Sequence, residues 1–239
     1  MTGPQQANKA DAVVVLSGGM DSTVCATLAV REHGAGRTAA LHMSYGQRTE
    51  ARERAAFQAI CGRLGVQTRL MLQTPFFRAI GGSALTDQNL AVPDAGPEIG
   101  TDIPITYVPF RNAHFLSAAT SWAEVLGAAR IYIGAVQQDS SGYPDCRPEF
   151  YRAFNEAIRT GTKEGSIRIE TPLIALRKSQ IVTLGLELGA PFDLTWSCYN
   201  REDQACGSCE SCVLRLRAFA AAGASDPISY LAPAQVVPQ

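Results

Sequence analysis

Three stretches of this chain gather residues able to do chemistry. In SGGMDST, at 17–23, two adjacent glycines sit between hydroxyl side chains and a carboxylate. The apolar run Val13, Val14, Val15, Leu16 precedes them, so the segment reads as strand, glycine turn and helix, with Ser22 or Thr23 as the N-cap of a helix running to about 33. Such a turn aims backbone N–H groups at an anion held on the positive end of the helix, and phosphate is the anion it suits best. The second stretch, SCYNREDQACGSCESC, spaces Cys198, Cys206, Cys209 and Cys212 as Cys-x7-Cys-x2-Cys-x2-Cys, with Gly207 allowing a tight turn. Four thiolates so close together suit one tetrahedral zinc, with two disulfides or an iron–sulfur cluster as alternatives. With all four positions filled by protein the metal is structural, clamping the helix ESCVLRLRAFAA to the body. The third stretch, DSSGYPDCRPEF at 139–150, concentrates Asp139, Tyr143, Asp145, Arg147 and Glu149 where a plain linker would need none of them, although its Ser-Gly and Tyr-Pro pairs also suit a simple turn and Pro148 a helix start.

These residues need elements to position them. Apolar runs of strand length (ADAVVVL, RTAALHM, VQTRLML, ARIYIGAV) alternate with helical patterns (TEARERAAFQAICGRLG, NAHFLSAATSWAEVLG). The alternation predicts an α/β fold, a parallel sheet with helices on both faces, whose ligands lie at the carboxyl ends of strands. Both SGGMDST and SGYPDC follow a strand. Between about 74 and 104 the pattern fades into a Gly-, Pro- and Asp-rich segment, read either as a surface insertion or as a cover for the site. Cys25 and Cys61 fall in helical patterns and read as core, and His42 and His114, in apolar contexts, read as structural.

Composition narrows the class. With 239 residues, 46% hydrophobic and 18% charged, the chain has the make-up of an ordinary globular protein able to bury a sizeable core. The polar start MTGPQQANKAD and the lack of a long apolar run predict a cytoplasmic protein with no membrane partner. Lys plus Arg at 21 nearly balances Asp plus Glu at 22, which argues against direct nucleic-acid binding and for a small-molecule substrate.

SGGMDST lacks the lysine of a Walker loop and the spacing of a dinucleotide fingerprint. It resembles the SGGxDS loop of the PP-loop ATP pyrophosphatases, a family with an adenine nucleotide alpha hydrolase-like fold. That resemblance implies ATP held by its β,γ-pyrophosphate on Leu16, Ser17, Gly18, Gly19, Met20, Asp21, Ser22 and Thr23, with the α-phosphorus open to attack and AMP and pyrophosphate as products. Within that superfamily the chain is similar, from about 11 to 219, to the 7-cyano-7-deazaguanine synthases. The match rests on LSGGMDST (16–23), YGQR (45–48), SALT (83–86), VPFRN (108–112), SGYPDCRPEF (141–150), ETPL (170–173), SCYN (197–200) and CGSCESC (206–212). Two positions depart from the family pattern, Thr49 in place of a histidine and Ser140 in place of an aromatic residue.

The resemblance implies that 7-carboxy-7-deazaguanine and ammonia become the nitrile through two adenylations, one of the carboxylate and one of the amide. Asp21 is then expected in the Mg²⁺–pyrophosphate region, and Arg111, just before a helix, on phosphate or carboxylate. A guanine-like edge offers two donors that Asp145 or Glu149 can accept, Arg147 can meet the substrate carboxylate, and Tyr143 can stack on the purine. The residual possibility is that this segment is a linker and the base is read by 77–104. The resemblance also implies a homodimer. The expected division is a PP-loop domain over 1–190 and a zinc-clamped helical region with its tail over 191–239. The rival reading is a tRNA-modifying relative of the thiolase or lysidine synthetase type, which would carry basic RNA-binding surface or reactive cysteines.

Overall fold

The computed structural model describes residues 9–96, 103–137 and 142–231. Five parallel strands lie in the order β3-β2-β1-β4-β5, namely β1 (Ala12–Val15), β2 (Thr38–Ser44), β3 (Thr68–Gln73), β4 (Arg130–Ile133) and β5 (Arg168–Glu170). Ala12 pairs in register with Thr38 on one side and Arg130 on the other, so β1 is the central strand.

The layers follow from strand periodicity. Successive side chains of β1 point to opposite faces. Ala12, Val14 and Leu16 enter one core, with Met20, Val24 and Ala29 of α1 (Met20–His33) and Phe57 and Ile60 of α2 (Glu50–Leu64). Val13 and Val15 enter the other, with Phe115, Leu116, Ala119 and Ala123 of α4 (Arg111–Leu126) and Ile158 of α5 (Pro148–Gly161). A strand buried on both faces explains the unbroken apolar run. The expected fold class, a parallel sheet covered on both faces, is the fold observed.

The first core continues into the chain's end. Ile181 and Val182 of α6 (Lys178–Leu188) and Cys212, Ala218 and Phe219 of α7 (Glu210–Ala221) belong to the same cluster as β1. Arg215 of α7 is buried there. It donates from Nε and Nη2 to the two Asp226 carboxylate oxygens at 2.7 and 2.9 Å, and from Nη1 to Thr195 Oγ1 at 2.7 Å.

Several local expectations are corrected. The first helix begins at Met20 with Gly19 as N-cap, one turn earlier than a Ser22 or Thr23 cap would allow. Both hydroxyls lie inside the first turn and donate back to the Gly19 carbonyl, at 3.0 and 2.8 Å. The strand β5 and helix α6 were not read from the sequence at all. The segment from 74 contains a short helix α3 (Phe76–Ile80), and its next stretch is pinned by Arg48, whose guanidinium donates to the Ala84, Asp87 and Leu90 carbonyls. Asp94 then bridges to Cys209. Cys25 and Cys61 are fully buried, and His42 donates from Nδ1 to the Leu16 carbonyl at 3.1 Å, a core role for each as expected. No helix among the described residues is long and apolar enough to cross a membrane.

Candidate active site

In a doubly wound sheet the ligand crevice opens where the strand order reverses. Here β2 and β4 leave the central strand in opposite directions, and the carboxyl ends of β1 and β4 lie side by side. A cleft of about 270 Å³ opens there, lined by Leu16–Gly19–Ser22 from the first turn and Gly134, Ala135 and Val136 after β4. The approach is close. A Cβ on Gly134 would sit 2.7 Å from the Ser22 backbone nitrogen, so only glycine lets β4 end against the first turn of α1.

The loop is held from inside and out. Ser17 and Ser22 share a hydrogen bond of 3.0 Å between hydroxyls, and the Gly19 N–H donates to Ser17 Oγ at 3.2 Å. From the far side, the Trp196 N–H donates to the Gly18 carbonyl at 2.9 Å. No side chain caps the first turn of α1, which leaves its N–H groups facing the cleft as an anion site. Asp21 projects beside them. One of its oxygens pairs with Lys178 Nζ, at the start of α6, and the other is buried without a partner.

On the opposite wall Arg111, the first residue of α4, donates from Nη1 to the Tyr45 hydroxyl at 2.8 Å. Its guanidinium carbon lies 5.0 Å from the Tyr45 ring centroid and 5.8 Å from that of Phe115, and its Nε is buried with no partner. Burial works against the charge, but the hydroxyls of Tyr45 and Tyr143 and the Asp145 carboxylate outweigh it and hold the guanidinium protonated. Tyr143 and Tyr199 complete an aromatic wall, and burial raises both phenols above their ordinary range. Cys146 also lines the cleft, where burial pushes its thiol up to about 11. At neutral pH it is a thiol, not a nucleophilic thiolate.

The segment SGYPDCRPEF divides. Its Tyr143 faces the cleft and hydrogen-bonds through its hydroxyl to Thr106 Oγ1 at 3.1 Å. Asp145 is buried outside the cleft lining, where Oδ2 accepts from the Asn112 N–H at 2.9 Å at the start of α4 and Oδ1 has no partner. Desolvation raises its carboxyl. Arg147 and Glu149 are exposed and do not line the cleft. Asp139 and Ser140 lie outside the described residues. The described part of 74–104 contributes nothing to the lining either.

Sequence reasoning did not single out Tyr45, Glu53, Lys178 or Tyr199. Tyr45 and Tyr199 fall within YGQR and SCYN, and Lys178 is marked by nothing except its position at the start of a helical run.

Near the chain's end the four cysteines converge. The sulfurs of Cys198, Cys206, Cys209 and Cys212 all lie within 4.8 Å of one another. Tetrahedral Zn–S bonds of about 2.3 Å place sulfurs about 3.8 Å apart, and Cys206 and Cys212 stand at 3.9 Å. Backbone N–H groups of Asn200, Cys206 and Cys209 point at the sulfurs of Cys198 and Cys206 at 3.3–3.4 Å, as thiolate ligands require.

The model of a family described as queuosine biosynthesis protein QueC matches residues 11–223. A protein of Koribacter versatilis named 7-cyano-7-deazaguanine synthase is 74% identical over 226 residues, covering 95% of each chain. Proteins of that name from Acidobacterium capsulatum and Chlorobaculum parvum are 65% and 56% identical, each over 92% of this chain and 96% of the relative.

Proposed function

Because the chain belongs to the QueC family of queuosine biosynthesis proteins, we propose that it converts 7-carboxy-7-deazaguanine and ammonia to 7-cyano-7-deazaguanine at the expense of two ATP. The observation that carries this reading is the uncapped first turn of α1 facing, across one cleft, a buried guanidinium set in aromatic side chains. One side suits the phosphates of a nucleotide and the other an anionic, planar substrate.

The chemistry follows from the leaving groups. Neither oxygen of a carboxylate departs unaided as oxide or hydroxide, so each must first become part of a better leaving group. The carboxylate oxygen attacks the α-phosphorus of ATP and pyrophosphate leaves. Ammonia adds to the acyl carbon and AMP leaves, carrying one carboxylate oxygen, while a proton is lost and the amide forms. The amide oxygen then attacks the α-phosphorus of a second ATP and pyrophosphate leaves, and the nitrile forms as the amide nitrogen loses its two protons and AMP leaves with the other oxygen. The loop of Leu16, Ser17, Gly18, Gly19, Met20, Asp21, Ser22 and Thr23 holds pyrophosphate on backbone amides and absorbs its charge in both rounds. Arg111, with its unpartnered Nε, orients the substrate carboxylate in the first.

Mg²⁺ fits at Asp21, whose buried, unpartnered oxygen is a ready ligand beside the anion site, and when bound it would neutralise charge on the phosphates. Zinc fits the four cysteines, with a structural part: Cys198 stands two residues after Trp196, whose N–H holds Gly18. The division at 190 is kept in that sense. The region from 191 is proposed as a zinc-organised unit attached to the PP-loop part, and its described residues pack into the same core as β1 and α1. Tyr143 stacks on the base. Asp145 is a positioning residue for the start of α4, and the expected substrate contacts of Arg147 and Glu149 find no support in their exposed placement.

The homodimer stays within the proposal, with the exposed Phe76, Ile80 and Phe110 side chains as apolar surface for it. Free cysteines support a reducing, cytoplasmic setting. A sulfur-transfer role is disfavoured by the protonated Cys146. The test is incubation with ATP, 7-carboxy-7-deazaguanine and nitrogen-labelled ammonia, followed by mass spectrometry. A product that has lost both carboxyl oxygens and gained one labelled nitrogen is expected, and accumulation of unmodified acid would refute the assignment.

A further inference from the structure

Within the cleft the described residues supply only two carboxylates to the lining, Asp21 and Glu53. Asp21 belongs to the anion end and is paired with Lys178. Glu53 lies toward Arg111 and Tyr45, on the first turn of α2. Its oxygens are held one each: Oε2 accepts from Gln47 Nε2 at 2.8 Å, and Oε1 from the Thr49 hydroxyl at 3.0 Å. A carboxylate oxygen accepts two hydrogen bonds with ease, so each retains capacity.

The backbone beneath Glu53 has no slack. Gly18 has φ of +94°, and a Cβ there would lie 2.9 Å from the Glu53 carbonyl oxygen and 3.0 Å from the Ala56 Cβ. Helix α2 is seated directly on the phosphate loop, which fixes Glu53 relative to the nucleotide. Gln47 is fixed in turn, since its Oε1 accepts from the Tyr45 N–H at 2.8 Å. A carboxylate clamped at both oxygens and lining an aromatic cleft is preorganised for a planar partner with paired donors.

We propose that Glu53 reads the guanine edge of the substrate, accepting the ring N1–H and the exocyclic amino group on its two oxygens. The inference rests on the substrate class proposed above and assigns the base-reading role to α2 instead of SGYPDCRPEF. Physical support comes from desolvation, which pushes the Glu53 carboxyl up to about 7. Two N–H donors from a ligand would supply stabilisation that desolvation takes from the ionised form. Thr49, where relatives are expected to carry histidine, here spends its hydroxyl on orienting Glu53. Asp145, which has one oxygen on the Asn112 N–H and the other buried without a partner, and the exposed Glu149 both lie outside the cleft lining.

The test pairs a variant with an analogue. Calorimetric affinities and kcat/KM are measured for wild type and Glu53→Gln with 7-carboxy-7-deazaguanine and with the same compound lacking its exocyclic amino group. Glu53→Gln should weaken the parent compound about 100-fold, because a site built for paired donors then meets an amide N–H, and should weaken the analogue less than about 10-fold. ATP affinity should be unchanged. Equal losses for both compounds, or none, overturn the assignment, as does a loss confined to kcat and the ammonia KM, which would make Glu53 a proton acceptor. If Glu53→Gln does not fold, Glu53→Asp decides by the same comparison, since a retracted carboxylate should weaken the parent more than the analogue. Wild type that binds the parent compound but forms no nitrile refutes the proposed function and leaves the reading of Glu53 standing. Wild type that binds neither compound refutes both.

Discussion

Asp21→Ala is expected to lower kcat/KM at least about 100-fold while leaving thermal stability within about 1 kcal/mol of wild type. The side chain sits on the first turn of α1, and its two oxygens have different fates, one paired with Lys178 and one buried without a partner. Removing the carboxylate takes away the ligand proposed for Mg²⁺ at the anion end of the cleft. The pair is partly solvated, with side-chain exposures of 22% and 16%, so its contribution to folding is small. The loss should therefore appear in turnover, and it should persist at saturating 7-carboxy-7-deazaguanine because the defect lies on the nucleotide side. Steady-state kinetics beside a melting curve reads both. Asp21→Ala with undiminished turnover removes the role given to this carboxylate.

Loss of one zinc ligand is expected to have the larger structural effect. Cys212→Ser should lower the melting temperature by at least about 10 °C, and metal analysis of the reduced wild-type protein should give one zinc per chain. The four sulfurs lie within 4.8 Å of one another, and three of them, on Cys198, Cys209 and Cys212, are buried. Without the metal, the thiols crowd one another and the segment from Cys198 to Cys212 loses the cross-link that joins its four cysteines. The effect should reach the active site through Trp196, which ties Gly18 to this segment, so ATP affinity should fall together with stability. Metal content near zero, or an iron absorption spectrum, would contradict the assignment.

The parts of this molecule visible in sequence are those in which local chemistry and global fold agree. The Val13–Leu16 run is apolar on both faces because β1 is central, and Gly18 after it is forced by the close seating of α2. Cysteine spacing alone located a cluster the fold then closes. The failures have equally physical causes. β5 is three residues long, too short to show periodicity, and Lys178 is an ordinary helix-start lysine until folding brings it to Asp21, 157 positions away. Asp145 looked like a ligand because a carboxylate after a strand usually is one, but the Asn112 N–H at the start of α4 claims it first. Glu53 sits in a sequence of charged helix residues, Glu50 to Arg54, and nothing in the sequence separates it from the others. The seating of α2 on Gly18 and the hydrogen bonds from Gln47 and Thr49, invisible without the fold, place it in the cleft.

The central claim is that each carboxylate oxygen leaves on an adenylate, and its most direct test is the fate of those oxygens. With substrate labelled by heavy oxygen in its carboxylate, phosphorus NMR of the completed reaction should show two AMP for each nitrile, each carrying one labelled oxygen, alongside unlabelled pyrophosphate. Label in orthophosphate, with ADP as the nucleotide product, would mean that the γ-phosphoryl group activates the substrate, and would contradict the account.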